Sequence, residues 1–406
     1  MGAGQGAVFP LRNPAAHAVF ASILAHGSSS RGAVARRTGL SAAAVTKAVR
    51  PLIAAGLLVE GEATTGAVGR PVRELRVRAE AASFVGVKLT GADVYAALAD
   101  FSGAVLATGH TALTGTEVAP AVADIARLVE RLYADADQLA PPAYACVTVS
   151  GDVDRATGLV RFSPFLGWRD VPLARLVEAR LGVGVVVEND VRALTLAEGL
   201  TGAGAGASPL VVVTLGAGIG CGLAVGGEVL TGAHGVSGEL GHVPVGDPAI
   251  RCYCGGRGCV EAVAADPAIV RRVTEVTGVP VMTVAEAAVL ARRGGAAADV
   301  FASAGAAIGR ALAAVVNLVG PERVVVSGEG LAYFDLFAQH IESAFAEQAY
   351  GATARCEVSL QPRTFEDWAA GAAAVARHGF VASGPAATAS ASFIDNGKES
   401  PYGPLT

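Results

Sequence analysis

One histidine and three cysteines, His242, Cys252, Cys254 and Cys259, fall within 18 residues of this chain, and no other feature constrains its folding as tightly. One imidazole and three thiolates at such spacing make a tetrahedral zinc set, with Zn–S distances near ~2.3 Å. The run Cys252-Tyr-Cys254-Gly-Gly-Arg-Gly-Cys259 supplies the glycines that let backbone wrap closely around an ion. Disulfides are the poorer reading, because thiols two residues apart make a strained bridge and nothing in the chain signals an oxidising compartment. Four protein ligands leave no open position for an activated water, so the expected zinc, one per chain, is structural rather than catalytic.

A chain of 406 residues predicts two or three domains, and 52% apolar against 17% charged residues is ample for large cores. No apolar run reaches the ~18 residues that span a bilayer, and Met1-Gly-Ala-Gly-Gln-Gly lacks the basic and apolar blocks of a secretory signal. The expectation is a globular cytoplasmic protein with no membrane partner. Cys146, Cys221 and Cys356 sit singly in apolar or mixed runs and read as buried free thiols. The net charge of −5 hides an asymmetry: residues 1 to 80 hold ten Lys and Arg against four Glu, a net +6, so the remainder carries −11. A small basic module on an acidic body fits a head that binds a polyanion such as DNA.

The pattern of that head agrees. Val19, Phe20, Ile23 and Leu24 repeat at helical spacing up to Gly27. Ser30 can cap a second helix closed by Gly39, and Ser41 can cap a third. In the third, Val45, Val49 and Leu52 face inward, leaving Thr46, Lys47 and Arg50 on the outer face. Arg36 and Arg37 are placed near phosphates. Leu57-Leu-Val59 and Glu74-Leu-Arg-Val-Arg78 pair as a hairpin, with Arg70 at its tip in position for the minor groove or the backbone. Residues 14–79 thus read as a winged helix-turn-helix, after a flexible stretch over 1–13. Pro51 is expected to kink the third helix, and Ala42-Ala43-Ala44 offers few groups that read bases.

From about residue 81 the sequence turns to α/β units, with strands at 84–87, 94–99, 145–149, 183–187, 210–214 and 324–326. Helices are expected over about 120–136, 283–319 and 368–377, and an Ala, Ser, Gly and Pro-rich tail over 381–406 reads as disordered. No internal sequence repeat stands out.

The stretch Gly238-Glu239-Leu-Gly-His242 through Gly258-Cys259-Val-Glu261 resembles the signature of the ROK family, whose name stands for repressor, open reading frame and kinase. The likeness covers nearly all of residues 14 to 380. It implies an actin-like, two-lobed sugar-kinase (ribonuclease H-like) fold over 80–380, with lobes of about 80–196 and 197–365, two structurally similar halves, and a last helix returning to the body. Glu188-Asn189-Asp190 follows a β-branched strand and so falls at a carboxyl end, where α/β sheets bind ligands. On residues alone, an ordinary Asx turn is the commoner explanation of that triplet. The resemblance implies that Asn189 and Asp190 contact a sugar, that Asp190 is the general base if the chain is a kinase, and that Glu239, His242 and Glu261 are further sugar contacts. It also implies that the loop from Ser150-Gly151 to Trp168 covers the sugar, with Phe165 where the kinases usually carry Asn.

Phosphoryl transfer needs two glycine-rich turns around ATP. Gly216, Gly218 and Gly220 in Leu215-Gly216-Ala-Gly218-Ile-Gly220 match the second. Where the kinases carry Asp-x-Gly-Gly-Thr, this chain reads Lys88-Leu-Thr90-Gly91-Ala92, which trades the magnesium-side carboxylate for a lysine. The sequence therefore predicts a sugar-responsive repressor rather than an enzyme, with zinc but without ATP or magnesium. Its expected partners are operator DNA, a monosaccharide or derivative, and further copies of itself in a homodimer or higher homo-oligomer, with sugar-driven lobe closure resetting the spacing of the DNA heads. An active sugar kinase with an added DNA-binding domain is the alternative, and a body serving only as a dimerisation scaffold is a third reading.

Overall fold

The computed structural model describes residue 11 and residues 13–64, 72–136 and 142–383. The chain divides into two compact units, one drawn from Met1–Glu188 and Trp368–Thr406, the other Asn189–Asp367.

Unit 1 opens with three short helices whose ends are written in side-chain hydrogen bonds. Asn13 Oδ1 accepts from Ala15 N and Ala16 N to start α1 (Pro14–His26). Ser30 caps α2 (Arg31–Thr38) through Ala33 N at 3.2 Å, Gly39 ends it in the left-handed conformation, and Ser41 caps α3 (Ala42–Ala54) through Ala44 N at 3.2 Å. Val45, Val49 and Leu52 are fully buried, as the spacing predicts. Pro51 does not end α3, which runs three residues past it to Ala54. Strand β2 (Leu58–Thr64) pairs antiparallel with β3 (Val72–Val77), Val59 opposite Arg76. A two-residue strand that the sequence does not announce, β1 (Ser29–Ser30), adds to the other edge of β3. Arg31 of α2 forms an ion pair with Glu60 of β2, which holds the Glu60 carboxyl below its ordinary range and ties hairpin to helix. Arg70 and the hairpin tip lie outside the described residues, as do the expected flexible N-terminus, apart from Leu11 and Asn13, and the tail from 384 on.

The rest of unit 1 is a five-stranded sheet of β4 (Ser83–Leu89), β5 (Asp93–Asp100), β6 (Val105–Ala112), β7 (Pro142–Val149) and β11 (Gly184–Asn189), in the order β11-β7-β4-β5-β6. Helices α4 (Val118–Asp135) and α5 (Leu173–Leu181) share its core, and a small antiparallel sheet of β8 (Asp152–Asp154), β9 (Leu159–Ser163) and β10 (Trp168–Val171) lies between them in sequence.

Unit 2 carries a second five-stranded sheet, β12 (Leu210–Leu215), β13 (Ile219–Val225), β14 (Glu228–Val229), β15 (Arg323–Ser327) and β16 (Glu357–Gln361), in the order β14-β13-β12-β15-β16. Numbered within itself, each sheet reads 3-2-1-4-5, the duplication that the sequence conceals. The unit's helices are α6 (Asp190–Thr201), α7 (Val260–Ala264), α8 (Asp266–Thr277), α9 (Val284–Ala291), α10 (Ala296–Val319) and α11 (Ala338–Gln348). The single helical stretch expected over 283–319 is two helices, broken where Gly294 and Gly295 take φ of 84° and 74°. The division falls after Glu188 rather than near residue 196, because α6 packs on β12 and β13.

The last helix, α12 (Phe365–Ser383), passes residue 381 by two residues, and from Trp368 on it belongs to unit 1. It lies directly on β4: a Cβ at Gly86 would sit 1.9 Å from Ala369 O. Phe101, at the β5–β6 turn, meets Phe20 of α1, Phe84 of β4 and Phe380 of α12 edge to face, with centroids 5.2, 5.1 and 5.9 Å apart. His17 Nε2 lies 2.9 Å from Val381 O, and Arg377 donates to Ser102 O at 2.7 Å, so α12 is strapped to the first helix and to that turn.

Among the described residues α10 is long and apolar enough by composition to cross a membrane, although Asp299 and Arg310 interrupt its apolar run; its side chains Phe301, Ile308, Leu312 and Val316 pack into the core of unit 2. Cys146 and Cys221 are buried as expected, and burial pushes the Cys221 thiol up to about 12, but Cys356 is only half-buried.

Candidate metal centre, effector residues and DNA-binding face

His242 ends a 3-10 turn (Leu240–His242) that follows β14, and Cys259 is the residue before α7. Between them the backbone folds back on itself: Gly246 N donates to Gly258 O, Gly258 N to Ile250 O, and Val260 N to Val243 O. The outcome brings one Nδ1 or Nε2 and three Sγ atoms within 4.8 Å of one another. A tetrahedron with Zn–S near ~2.3 Å has edges of about 3.8 Å between sulfurs and about 3.6 Å between sulfur and nitrogen. Cys254 Sγ and Cys259 Sγ are 3.8 Å apart, and Cys252 Sγ is 3.7 Å from His242 Nδ1. A Cβ at Gly256 would lie 3.2 and 3.3 Å from two of the sulfurs, so the glycine keeps the cradle open. The four side chains fit a metal ion by donor type and by edge length.

With Nδ1 facing the sulfurs, His242 turns Nε2 toward Glu239 Oε2 at 3.9 Å and the Tyr253 hydroxyl at 3.4 Å. Tyr253 was not among the expected contacts; its place between two ligands is the only trace of it in the sequence. Glu261, in the first turn of α7, accepts from Ile219 N at 3.0 Å, which links the knot to the glycine turn between β12 and β13.

Asn189 and Asp190 stand at the junction of β11 and α6. Asn189 Oδ1 caps α6 through Val191 N and Arg192 N at 3.0 and 3.1 Å, and Asp190, 6% exposed, accepts from Val191 N at 2.9 Å. The Asx-type hydrogen bonds are therefore present, and they fix a buried carboxylate at the carboxyl end of a strand. Gly151 lies in unit 1, where its φ of 125° and a built Cβ 2.2 Å from Phe162 O show a packing need of its own. Phe165 is exposed.

In the glycine turn, Gly220 packs against Val191, which a Cβ would meet at 2.4 Å, and Gly216 abuts the Glu329 carboxyl at 2.2 Å by the same test. Lys88 is buried on β4, its Nζ 4.9 Å from the Trp368 ring centroid. Asp266, the first residue of α8, donates its N–H to Gly216 O at 2.9 Å; burial and then Glu329 push its carboxyl up to about 6.

On the head, Ser41, Thr46, Lys47 and Arg50 are exposed along α3, and Arg36 and Arg37 along α2. Thr46 Oγ1 donates to Ala42 O, and Arg37 donates to Ser29 Oγ at 3.0 Å.

The Escherichia coli K12 DNA-binding transcriptional repressor Mlc is 29% identical over 382 residues, 89% of this chain and 92% of its own length. The glucokinase of Thermotoga maritima is 43% identical over 152 residues, but that match spans 37% of this chain and 48% of the kinase. The solved structure of a ROK family transcriptional regulator, described as a homologue of E. coli Mlc, superposes with a TM-score of 0.77 at 27% identity, covering 93% of this chain and 97% of that one. The sequence model of the ROK family matches residues 84–378, and with that match the chain belongs to the ROK family.

Proposed function

We propose that this chain is a sugar-responsive transcriptional regulator, acting as a repressor of carbohydrate-metabolism genes. The observation that carries the reading is the likeness to the repressor Mlc over 89% of this chain, whereas the sequence likeness to the Thermotoga maritima glucokinase covers 37% of it. The exposed face of Thr46, Lys47 and Arg50 on a well-capped α3 supports major-groove docking, with the exposed Arg36 and Arg37 toward phosphates; Arg70, outside the described residues, keeps its expected role in the minor groove or on the backbone. A homodimer or higher homo-oligomer would present two such heads to two half-sites.

His242, Cys252, Cys254 and Cys259 would hold zinc, whose contribution is to fix ring and loop orientation. The protein's own residues do the rest: His242 Nε2, Glu239 and Glu261 offer hydrogen-bond partners for sugar hydroxyls, with Asn189, Asp190 and Gly151 as further contacts. A monosaccharide or its derivative is the effector, and it acts only through a difference in affinity between DNA-bound and free forms. Burial of Lys88 at the position expected for a magnesium-side carboxylate supports a body that binds sugar without transferring phosphate. Asp190 is what favours the alternative of an active kinase.

A thermal-shift panel of glucose, xylose, N-acetylglucosamine, glucose 6-phosphate and N-acetylglucosamine 6-phosphate, with and without ATP and magnesium, tests the body. A shift indifferent to ATP supports the sensor. ADP formation that Asp190→Asn abolishes overturns it in favour of the kinase, and no shift with any member favours the scaffold. Duplex-DNA titrations at several salt concentrations test the head: Lys47→Ala and Arg50→Ala should each weaken binding and lower the log–log salt slope by about 0.9 if each meets one phosphate. Unchanged slopes in both would remove α3 from the interface.

A further inference from the structure

The turn Gly216-Ala217-Gly218 between β12 and β13, leading into Ile219, has the glycine-rich sequence of a turn that backbone amides could offer to an anion. Its amides are already engaged by carboxylates of the chain itself. Ala217 N donates to Glu329 Oε1 at 2.8 Å across 112 residues of sequence, and Ile219 N donates to Glu261 Oε2 at 3.0 Å. The delivery of Glu329 is built into the backbone. Gly328, at φ 100°, and Gly330 both press on Leu215, where a Cβ would come within 2.3 and 2.9 Å of Leu215 O. The Ser327-Gly-Glu-Gly330 segment is thus seated on the root of the glycine turn, and the only side chain between its two glycines is the carboxylate that reaches the turn. Asp266 adds a third acidic group beside Gly216.

We infer that Glu329 is an internal anion that occupies the glycine turn and sets its selectivity, excluding the polyphosphate class of ligand. A tethered carboxylate competes at high effective concentration and loses no translational freedom on binding. An incoming triphosphate must displace it and then sit against Glu261 and Asp266, so repulsion adds to competition. The consequence is a regulator whose output follows its sugar and ignores the nucleotide pool. This deepens the sugar-sensor reading and rests on it for that consequence, but the occupancy of the turn is testable by itself.

The probes are inorganic tripolyphosphate and the magnesium complex of the non-hydrolysable ATP analogue AMPPNP, titrated by calorimetry into wild type, Glu329→Gly and Glu329→Gln. Losing a hydrogen bond to a charged group corresponds to about tenfold to hundredfold in affinity, so Glu329→Gly should bind both probes tighter by about that factor, with Glu329→Gln between it and wild type. Glu329→Gln keeps an acceptor oxygen for Ala217 N, so it carries the test if the glycine variant does not fold. Equal affinity in wild type and both variants overturns the inference, as does wild-type binding as tight as that of Glu329→Gly. Duplex-DNA and sugar titrations on the same wild-type preparations separate the two ideas: their failure would sink the sensor reading while the Glu329 comparison still stood.

Discussion

Phe101→Ala should damage unit 1 out of proportion to one side chain. The ring is fully buried at a turn and touches the first helix of the N-terminal head, a strand of the sheet and the last helix, through Phe20, Phe84 and Phe380. Removing a buried phenyl ring costs about 3–5 kcal/mol through lost transfer energy and the cavity left behind. The three edge-to-face contacts, each worth about 0.5–1.5 kcal/mol beyond burial, place this site toward the upper end of that range. A loss of about 4 kcal/mol raises the opening constant of the cluster by roughly a thousandfold. Native-state hydrogen exchange is the suitable assay, because a chain of two compact units need not unfold in one step. Amides of α1 and of α12 near Phe380 should lose protection together by about that factor, while the strands of unit 2 keep theirs. Loss of less than about 1 kcal/mol would refute the cluster as the anchor of α1, and equal loss in β12 would refute its confinement to unit 1.

Two further predictions concern the second unit. If the knot holds zinc as proposed, Cys254→Ser should lower the zinc content of the purified protein, read by a colorimetric assay, and should abolish the sugar-induced thermal shift while the unit 1 transition stays in place; unchanged sugar affinity in metal-free protein would break the proposed link between knot and effector residues. Asp266→Asn should stabilise the protein at pH 7.5 but not at pH 4. The folded carboxyl titrates at about 6 against an ordinary 3.8, so the folded state holds its proton more tightly, and stability present below about pH 4 is lost as pH rises through about 6. The penalty above pH 6 is on the order of 2–3 kcal/mol. Urea midpoints of wild type and variant should therefore diverge across that window, and parallel curves would contradict the burial argument.

What could be read in advance was local. The metal set is a matter of residue type and spacing, and the caps Ser30 and Ser41 act on amides three residues away. The outward turn of Thr46, Lys47 and Arg50 follows from the apolar period of α3. Edge strands were harder. β6 exposes Val105 and Leu106, and β16 exposes Val358 and Leu360, so neither shows the inward apolar run of β4 or β12. β1 is two serines whose strand identity comes wholly from β3. The division after Glu188 depends on which sheet α6 packs against, and the approach of Glu329 to Ala217 spans 112 residues; neither leaves a mark in local periodicity. Glu261, expected beside a sugar, also holds the glycine turn, a second engagement that only folding reveals.

The position of α12 has a consequence for how the protein is made. Unit 2, Asn189–Asp367, is in chain terms an insertion between β11 and α12, so the helix that covers Gly86 and completes the Phe20 cluster is translated after all of it. A nascent chain can form the three head helices early, yet their anchoring surface stays open until the ribosome has passed residue 380. A message broken anywhere within the insertion yields a chain whose Phe20 and Phe101 lack the cover of α12, which makes it a substrate for chaperones and proteases. Order of synthesis thereby ties the seating of the first helix to completion of the chain through residue 380.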